Sequence, residues 1–341
     1  MTALRVRGLG VLLPSAATPG DTSFPDRPVH AVDGFDVRDR LGRRGTSFFD
    51  RTTALAVAAC ADALRDAGVE AGPQQPQDRI GVVLATTLGS FRSTSDFTRE
   101  TLVQERPYLV NPVLFPNTVM NCAAGQSAIR LGLRGVNATV AGGPVAFLHA
   151  LRYAADVLAR GYADLMVVGA AEELSPHRVW SQALTRGGTG AACGESAAAF
   201  AVIRDDGTGP SDGTGLRILA TAAGYGPDGR RAEALSGCVR RALDRAGVAA
   251  AEVDLVVTAE TATDDHGQFG AAARVLGHRP EHRQVTARFG DCDAATCATG
   301  LAQLMLDRRA HPEEPGITAL LVAEGVDGAA AAALVRSPQC R

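Results

Sequence analysis

The sequence predicts an α/β protein made of two related halves. Short apolar runs alternate with helical stretches rich in Ala and Leu, an order typical of α/β folds. A Gly/Asp-rich stretch at 205–215 interrupts this order, which then starts again. The motif Ala-Leu-x-x-Ala-Gly-Val occurs at 63–69 and at 242–248, each time before an apolar run. Helices often end in glycine followed by an apolar residue; together with the break, the motif nevertheless favours an internal duplication with halves 1–205 and 206–341.

The elements of both halves follow from local patterns. Leu4–Leu13 is predicted as a strand that ends before a proline, and residues 15–47, rich in Pro, Gly and Asp, are predicted as loop. Asp50 can cap a helix that runs to about Ala67, with Gly68 as its stop. Four further apolar runs are predicted as buried strands: Ile80–Thr86, Leu165–Ala170, Ala197–Ile203 and Leu255–Ala259.

Composition bounds the function classes. The 341 residues are 46% hydrophobic and 21% charged, and the net charge of −3 gives no indication of a nucleic-acid partner. There is no run of eighteen apolar residues, so we expect no membrane span. The first fourteen residues lack the charged and apolar regions of a secretory signal, and we expect a cytoplasmic protein.

The reactive side chains narrow the chemistry further. All 34 basic residues are arginine, which excludes Schiff-base catalysis by lysine. No paired C-x-x-C spacing suggests a zinc site, so we predict reduced thiols, no metal and no cofactor. The cysteines number seven: Cys60, Cys122, Cys193, Cys238, Cys292, Cys297 and Cys340.

Several stretches resemble the β-ketoacyl synthases of the thiolase superfamily. The resemblance covers nearly the whole chain and is most specific in the first 205 residues. It implies a five-layered αβαβα sandwich of two duplicated halves, in agreement with the repeated motif. The stretches that carry it are Val6–Val11, Phe35–Arg43, Asp50–Arg51, Phe115–Asn121, Ala124–Gln126, Arg130–Gly135, Ala163–Glu173 and Gly194–Ala198.

The family's catalytic positions hold other residues in this chain. The stretch 135–151 is predicted as a strand, a sharp turn and a helix, and Pro144 stands at the turn where the family has its nucleophilic cysteine. By the same resemblance, Glu260 takes the place of the first catalytic histidine and Asp291 of the second. The family's lysine becomes Thr286, so no catalytic residue is predicted.

These losses remove the chemistry of condensation. The reaction requires a thiolate, two imidazoles and backbone N–H donors for the developing oxyanion. Proline supplies neither a thiol nor an N–H, and carboxylates would repel the enolate formed by decarboxylation. A condensing-enzyme body without its catalytic residues resembles the chain length factors of type II polyketide synthases, in which glutamine commonly replaces the cysteine. This resemblance implies a heterodimer with a catalytic ketosynthase, an acyl carrier protein partner and a polyketide acyl chain.

The resemblance also implies residues that line an acyl tunnel at the subunit interface. Their bulk would limit the length of the chain, because a filled cavity resists overpacking. Ordinary core or dimer packing is the alternative explanation for the same side chains. The candidates are Leu88, Phe91, Thr94, Phe97, Thr98, Leu114 and Met120.

Two other functions stay open at this point. Glu260 and Asp291 could form a carboxylate pair in a free-standing enzyme that acts on acyl thioesters. The chain could instead be a scaffold that docks an acidic carrier protein through an arginine patch, for which the candidates are Arg40, Arg43, Arg44 and Arg51.

Three more side chains could be read as reactive groups. Cys193 precedes Gly194-Glu195 and could replace the nucleophile, although a lone cysteine among alanines is more often a small buried residue. His266 could enter the site after a register slip, but we expect it at the surface or at a helix start. His149 follows the turn and is expected to be packed or satisfied locally.

Overall fold

A mixed sheet that both halves share organises the fold. The computed structural model describes residues 2–20, 22–25, 27–185, 190–207, 215–227, 229–260 and 267–337. The strands are β1 (Leu4–Leu12), β2 (Thr18–Pro19), β3 (Pro28–His30), β4 (Ile80–Thr86), β5 (Asn137–Ala141), β6 (Leu165–Glu172), β7 (Cys193–Gly194), β8 (Ser196–Arg204), β9 (Arg217–Tyr225), β10 (Leu255–Thr258), β11 (Glu281–Gln284), β12 (Thr318–Glu324) and β13 (Ala329–Arg336).

Helices cover both faces of this sheet. Within the described ranges, none of them combines the length and the apolar character that a bilayer span requires. The helices are α1 (Val37–Leu41), α2 (Arg51–Asp66), α3 (Phe91–Val103), α4 (Cys122–Leu131), α5 (Ala146–Ala159), α6 (Pro176–Thr185), α7 (Arg231–Ala246), α8 (Gln268–Leu276), α9 (Val285–Phe289) and α10 (Thr296–Ala310).

The two halves contribute half-sheets of the same topology. The first has the strand order β5-β4-β6-β8-β1 and the second β11-β10-β12-β13-β9. In each, the first three strands are parallel, whereas the last two continue antiparallel. The half-sheets join where β1 pairs with β9 through Leu4 and Arg5. The repeated order agrees with a duplication, while the domain boundary between residues 205 and 206 stays a prediction.

Five layers result from this arrangement. Helices α5 and α10 lie in the centre and contact strands of both half-sheets. Helices α2 and α4 cover the first half-sheet, and α7 and α8 cover the second. Central α10 is buried around its whole circumference from Thr296 to Met305, as expected of a core helix. Small residues permit this burial. At Gly300 there is no room for a larger residue, because an added Cβ atom would lie only 2.7 Å from a side-chain carbon of Val257.

The predicted strands and helices of the core are confirmed, but the long loop is not. Strand β4 has the predicted bounds, and Asp50 caps α2 by accepting a hydrogen bond from Thr53 N. Residues 15–47 contain β2, β3 and α1, so the prediction of uninterrupted loop was wrong. The carboxylate of Asp36 caps α1, and β3 pairs with β7, which is distant in sequence. Such a pairing leaves no local pattern in the sequence.

A buried ion pair ties α2 to the first half-sheet. Arg51 donates to both carboxylate oxygens of Glu195, at 2.6 and 3.1 Å, and also to the main-chain oxygens of Val32 and Phe35. The Glu195 side chain is 2% exposed and also accepts hydrogen bonds from main-chain N–H groups. Arg51 therefore stabilises the fold and is not available for a docking patch.

We expect Arg51→Ala to lower the free energy of unfolding by about 3 kcal/mol, because it leaves a buried carboxylate without its counter-charge. Urea unfolding monitored by circular dichroism measures the effect. Exposed Arg44 provides the matched control, since Arg44→Ala should change stability by no more than about 0.5 kcal/mol. Equal stability of the two variants would contradict this role of Arg51.

Candidate degenerate active site

Pro144 occupies the turn between β5 and α5. Residues Gly143–Val145 form a single 3₁₀ turn, and Gly143 has a φ of +59°, a left-handed conformation that suits glycine. Pro144 is half-buried at the second position of this turn. The fixed φ of proline suits the start of a helix, so the turn keeps its shape without a thiol or an N–H at its tip.

The segment that carries Asp291 lies against this turn. The 3₁₀ turn Asp293–Ala295 contacts the Pro144 turn, as do β12 and the start of α10. Asp293 has a φ of +44°, which is unusual for a residue other than glycine. The structure thus brings the Pro144 turn and the 291–295 segment together, as the sequence comparison with condensing enzymes implies.

Glu260 and Thr286 also meet, but the carboxylate of Glu260 faces the second half-sheet. The Thr286 hydroxyl donates to the main-chain oxygen of Glu260. The carboxylate, 6% exposed, accepts a 2.6 Å hydrogen bond from Gln268 N at the start of α8 and lies 3.2 Å from Nε2 of His282. A carboxylate at a helix N-terminus is electrostatically favourable, so these contacts give Glu260 a structural role.

Asp291 is held by different elements. Its carboxylate accepts hydrogen bonds of 2.9 Å from Gln182 Nε2 on α6 and from Asp293 N. Its main-chain oxygen accepts from Gly194 N. The hydrogen bonds of Glu260 run to α8 and those of Asp291 to α6, an arrangement that does not favour a shared acid/base pair.

A buried arginine that the sequence analysis did not single out organises this region. Arg178 of α6 is 7% exposed. Its Nη1 donates to the main-chain oxygens of Glu173 and Gly194, both at 2.7 Å. Its Nη2 donates to the Asp291 oxygen and the Asp293 carboxylate, which also faces Nε. The only sequence signal was one arginine in a short helix that follows two glutamates.

Glu172 is the second buried charge beside the centre. It is 2% exposed and accepts hydrogen bonds from Thr87 N at 2.5 Å and from the Thr86 hydroxyl at 3.4 Å. Burial raises the pKa of Glu172 to about 7, although the guanidinium of Arg178 acts in the opposite direction. This carboxyl therefore exchanges its proton near neutral pH.

Leu88 and Phe91 line one cavity. Both face a space of about 170 Å³ that Glu172 and Arg178 also line. Met120 lies close by: a Cβ atom added to Gly89 would be 3.1 Å from the Cα of Met120. The structure thus places three of the tunnel candidates in one region.

The other tunnel candidates lie along α3 and the turn at 112–118. The Phe97 ring packs on Phe115 at a centroid distance of 5.9 Å, and Leu114 is half-buried. The Thr94 hydroxyl donates to the main-chain oxygen of Ser90, and that of exposed Thr98 to the oxygen of Thr94. Their part in a tunnel remains a prediction.

The cysteines offer no activated nucleophile in the described ranges. Cys193 is 2% exposed, and burial raises the pKa of its thiol to about 11. Burial also raises the pKa of Cys60 and Cys297 to about 12, and that of Cys292 further. A raised pKa leaves little thiolate at neutral pH. His149 is half-buried and packed as expected, but its Nε2 is buried without a hydrogen-bond partner among the described residues. His266 and Cys340 lie outside the described residues.

Comparison with known families agrees with this geometry. Residues 17–223 match the family described as "Beta-ketoacyl synthase, N-terminal domain". The chain belongs to the β-ketoacyl synthase family. No grouping of three or more His, Cys, Asp or Glu side chains able to hold a metal ion occurs in the part of this family member that the structure describes.

Solved structures share the fold over the whole chain. This β-ketoacyl synthase family member is 30% identical to the ishigamide ketosynthase/chain length factor, with a TM-score of 0.84 and coverage of 99% and 100% of the two chains. A β-ketoacyl synthase from Burkholderia phymatum is 18% identical, with a TM-score of 0.83 and full coverage of both chains. A type II polyketide ketosynthase complex with its acyl carrier protein gives 17% identity, a TM-score of 0.78 and coverage of 98% and 99%.

The curated relatives match shorter stretches. The 3-oxoacyl-(acyl-carrier-protein) synthase 2 of Vibrio cholerae is 32% identical over 154 residues, which is 45% of this chain and 37% of that protein. The enzyme of the same name from Staphylococcus aureus is 24% identical over 281 residues, or 74% of this chain and 68% of that one. The chain thus spans well under half the length of the Vibrio relative that it matches.

We expect the ionisation of Glu172 to lower stability as the pH rises. The carboxyl has its ordinary pKa of about 4.5 in the unfolded chain and about 7 in the folded one, so between these values only the folded state keeps the proton. The stabilisation is complete below pH 4.5 and is lost as the pH passes through 7, a change of about 3 kcal/mol for this group.

Urea unfolding at pH 5 and pH 8 tests this expectation. Glu172→Gln should lose less stability between the two pH values than the wild-type chain does. Exposed Glu70→Gln is the matched control and should follow the wild type. A Glu172→Gln variant with the wild-type pH profile would show that Glu172 does not carry the effect.

Proposed function

We propose that this protein is the non-catalytic, chain-length-determining subunit of a type II polyketide ketosynthase heterodimer. In this role it shapes the acyl tunnel in which the partner subunit condenses β-ketoacyl chains held on an acyl carrier protein. The observation that carries the proposal is Pro144 at the tip of a preserved turn. The likeness to the ishigamide ketosynthase/chain length factor along the full chain supports it.

The physical chemistry of the site supports the absence of condensation. Loss of one oxyanion donor raises the barrier by about 2.7–4 kcal/mol, and the covalent nucleophile is missing as well. By the resemblance, Glu260 and Asp291 take the places of the two histidines of condensing enzymes, and their carboxylates accept hydrogen bonds from the fold itself. The buried thiols have raised pKa values and do not replace the nucleophile.

An exposed apolar surface supports the existence of a partner. More than half of the large apolar side chains that are exposed in the described ranges lie between residues 88 and 129. An accumulation of exposed apolar side chains is typical of interaction sites. We call this set the apolar face; it comprises Leu88, Leu102, Val103, Tyr108, Leu109, Val113, Phe115, Val119, Met120 and Ile129.

The free edge of the sheet provides a second element for partner binding. Strand β5 pairs with β4 and ends the sheet. Val82 N donates to Val136 O, and Gly142 N donates to Thr86 O. Since main-chain groups alternate in direction along a strand, those of Thr139 point to the free edge. The Thr139 hydroxyl oxygen is also buried without a hydrogen-bond partner in this isolated chain.

The alternative functions receive less support. In the proposed arginine patch, Arg51 is bound to Glu195, and exposed Arg40 is paired with Asp62. Arg43 and Arg44 are exposed as well. A carrier protein is therefore proposed as a partner of the heterodimer and not of this chain alone. The separate hydrogen-bond networks of the two carboxylates argue against a free-standing thioester enzyme.

We expect Phe91→Ala or Thr94→Ala to lengthen the products made with the cognate ketosynthase, because removal of bulk extends the space for the chain. Mass spectrometry of the products measures the length. Exposed Arg99 on the same helix supplies the control, and Arg99→Ala should give products of wild-type length. Unchanged product length in both test variants would reject these tunnel residues.

We expect Thr139→Pro to weaken the complex with the ketosynthase at least tenfold, because proline removes the N–H that points to the free sheet edge. An edge position tolerates proline within one chain, so the variant should keep its circular dichroism spectrum. Thr139→Val keeps the N–H and serves as the matched control. Co-expression followed by size-exclusion chromatography and a titration reports the affinity, and equal binding of the two variants would exclude pairing at this edge.

A further inference from the structure

The cavity beside the Pro144 centre has walls of two chemical kinds. Leu88 and Phe91 supply its apolar side chains. The remaining wall comes largely from α6 and its neighbours, and it is polar. The polar lining that matters here consists of Glu172, Arg178, Ser181, Gln182, Thr185 and Asp293.

The arginine in this wall offers no hydrogen-bond donor to a ligand. Its donors are directed at the main-chain oxygens of Glu173, Gly194 and Asp291 and at the carboxylate of Asp293. A guanidinium has five N–H groups in a fixed geometry, and these contacts engage them. Arg178 therefore positions the wall but does not bind what enters.

The rest of the wall is rich in acceptors. Glu172 accepts a hydrogen bond from Thr87 N, and Asp293 accepts one from Arg178, but a carboxyl oxygen can accept more than one hydrogen bond. Gln182 donates from Nε2 to Asp291 and adds Oε1 as an acceptor. The Thr185 hydroxyl already donates to main-chain oxygens of α6. A ligand that brings its own donor therefore matches such a wall.

Ser181 is the exception among these groups. It is half-buried, lines the cavity, and its hydroxyl makes no hydrogen bond within the ranges that the structure covers. A hydroxyl both donates and accepts. Ser181 can thus complete the hydrogen bonding of an O–H group that donates to one of the carboxyl oxygens.

The volume limits what can enter. A space of about 170 Å³ is smaller than the roughly 300–1,000 Å³ of ordinary ligand pockets. This is room for the end of an acyl chain and not for a whole one. Leu88 and Phe91 are candidates for the tunnel wall. The position of this cavity therefore suits the end of a growing acyl chain.

The geometry points to a cavity that selects acyl chains ending in a hydroxyl group, with Ser181 as a specificity-determining residue. The inference rests on the proposed chain-length function and adds the chemical class of the chain end. A terminal hydroxyl donates to the acceptor-rich wall and accepts from Ser181, while the methylenes behind it contact Leu88 and Phe91. A methyl end displaces water from the Ser181 hydroxyl and from Oε1 of Gln182 without replacing its hydrogen bonds, which favours the hydroxylated chain.

Competition between two chains tests this inference. The reconstituted heterodimer receives equal amounts of two carrier-bound acyl chains that match in length and end in a hydroxyl or in a methyl group. Mass spectrometry gives the ratio of elongated products at each chain length. We expect the hydroxylated chain to be favoured, and Ser181→Ala to reduce this preference about fivefold through the loss of one hydrogen bond. Ser95→Ala, a half-buried serine that does not line the cavity, should retain the preference.

The outcomes separate this inference from the function on which it rests. If Phe91→Ala lengthens the products but the wild-type complex shows no preference for the hydroxylated chain, selection by the polar wall is wrong and the chain-length role stands. A preference that survives in Ser181→Ala would likewise overturn the role of this serine. If no complex forms, or if Phe91→Ala leaves product length unchanged in a working complex, the proposed function and this inference fail together.

Discussion

The buried guanidinium of Arg178 is the contact on which the degenerate centre depends. It links the end of β6, strand β7 and the 291–293 segment to α6. It also compensates the negative charge of Asp293 and Glu172, which would otherwise be buried beside each other without a cation. Through these bonds one side chain fixes the 291–293 segment beside the Pro144 turn.

The preserved fold and the proposed loss of condensation are compatible because they depend on different residues. The five layers are held by the packing of α5 and α10 between two half-sheets, and these helices bury small and aliphatic side chains. The positions that the resemblance to condensing enzymes aligns with catalytic residues are not among the buried apolar side chains of that core; they are Pro144, Glu260, Thr286 and Asp291. A change at these positions can therefore leave the apolar face and the edge strand β5 in place.

The strands and helices of the core could be predicted from the sequence because the patterns that indicate them are local. The strand β4 and the cap at Asp50 followed from apolar runs and from one side chain at a helix start. The role of Arg178 could not be predicted from the sequence, because its partners Asp291 and Asp293 lie more than a hundred residues away along the chain. Strand β3 escaped prediction for the same reason, since it pairs with distant β7. Helix α1 has a local signal in its Asp36 cap, which the sequence analysis did not use. The resemblance to condensing enzymes placed Pro144 and the 291–295 segment together, but gave no information on where the Glu260 carboxylate points.

The layer shared by the two half-sheets has a consequence for how the molecule assembles. The half-sheets meet through a short ladder in which Leu4 and Arg5 pair with β9 and Val6 N donates to Leu216 O, so their mutual attachment comes mainly from the helices enclosed between them. Each half-sheet by itself would present one face of α5 or α10 to water. After a duplication, neither half buries its apolar interior until the other half packs against it. The two halves must therefore fold as one cooperative unit.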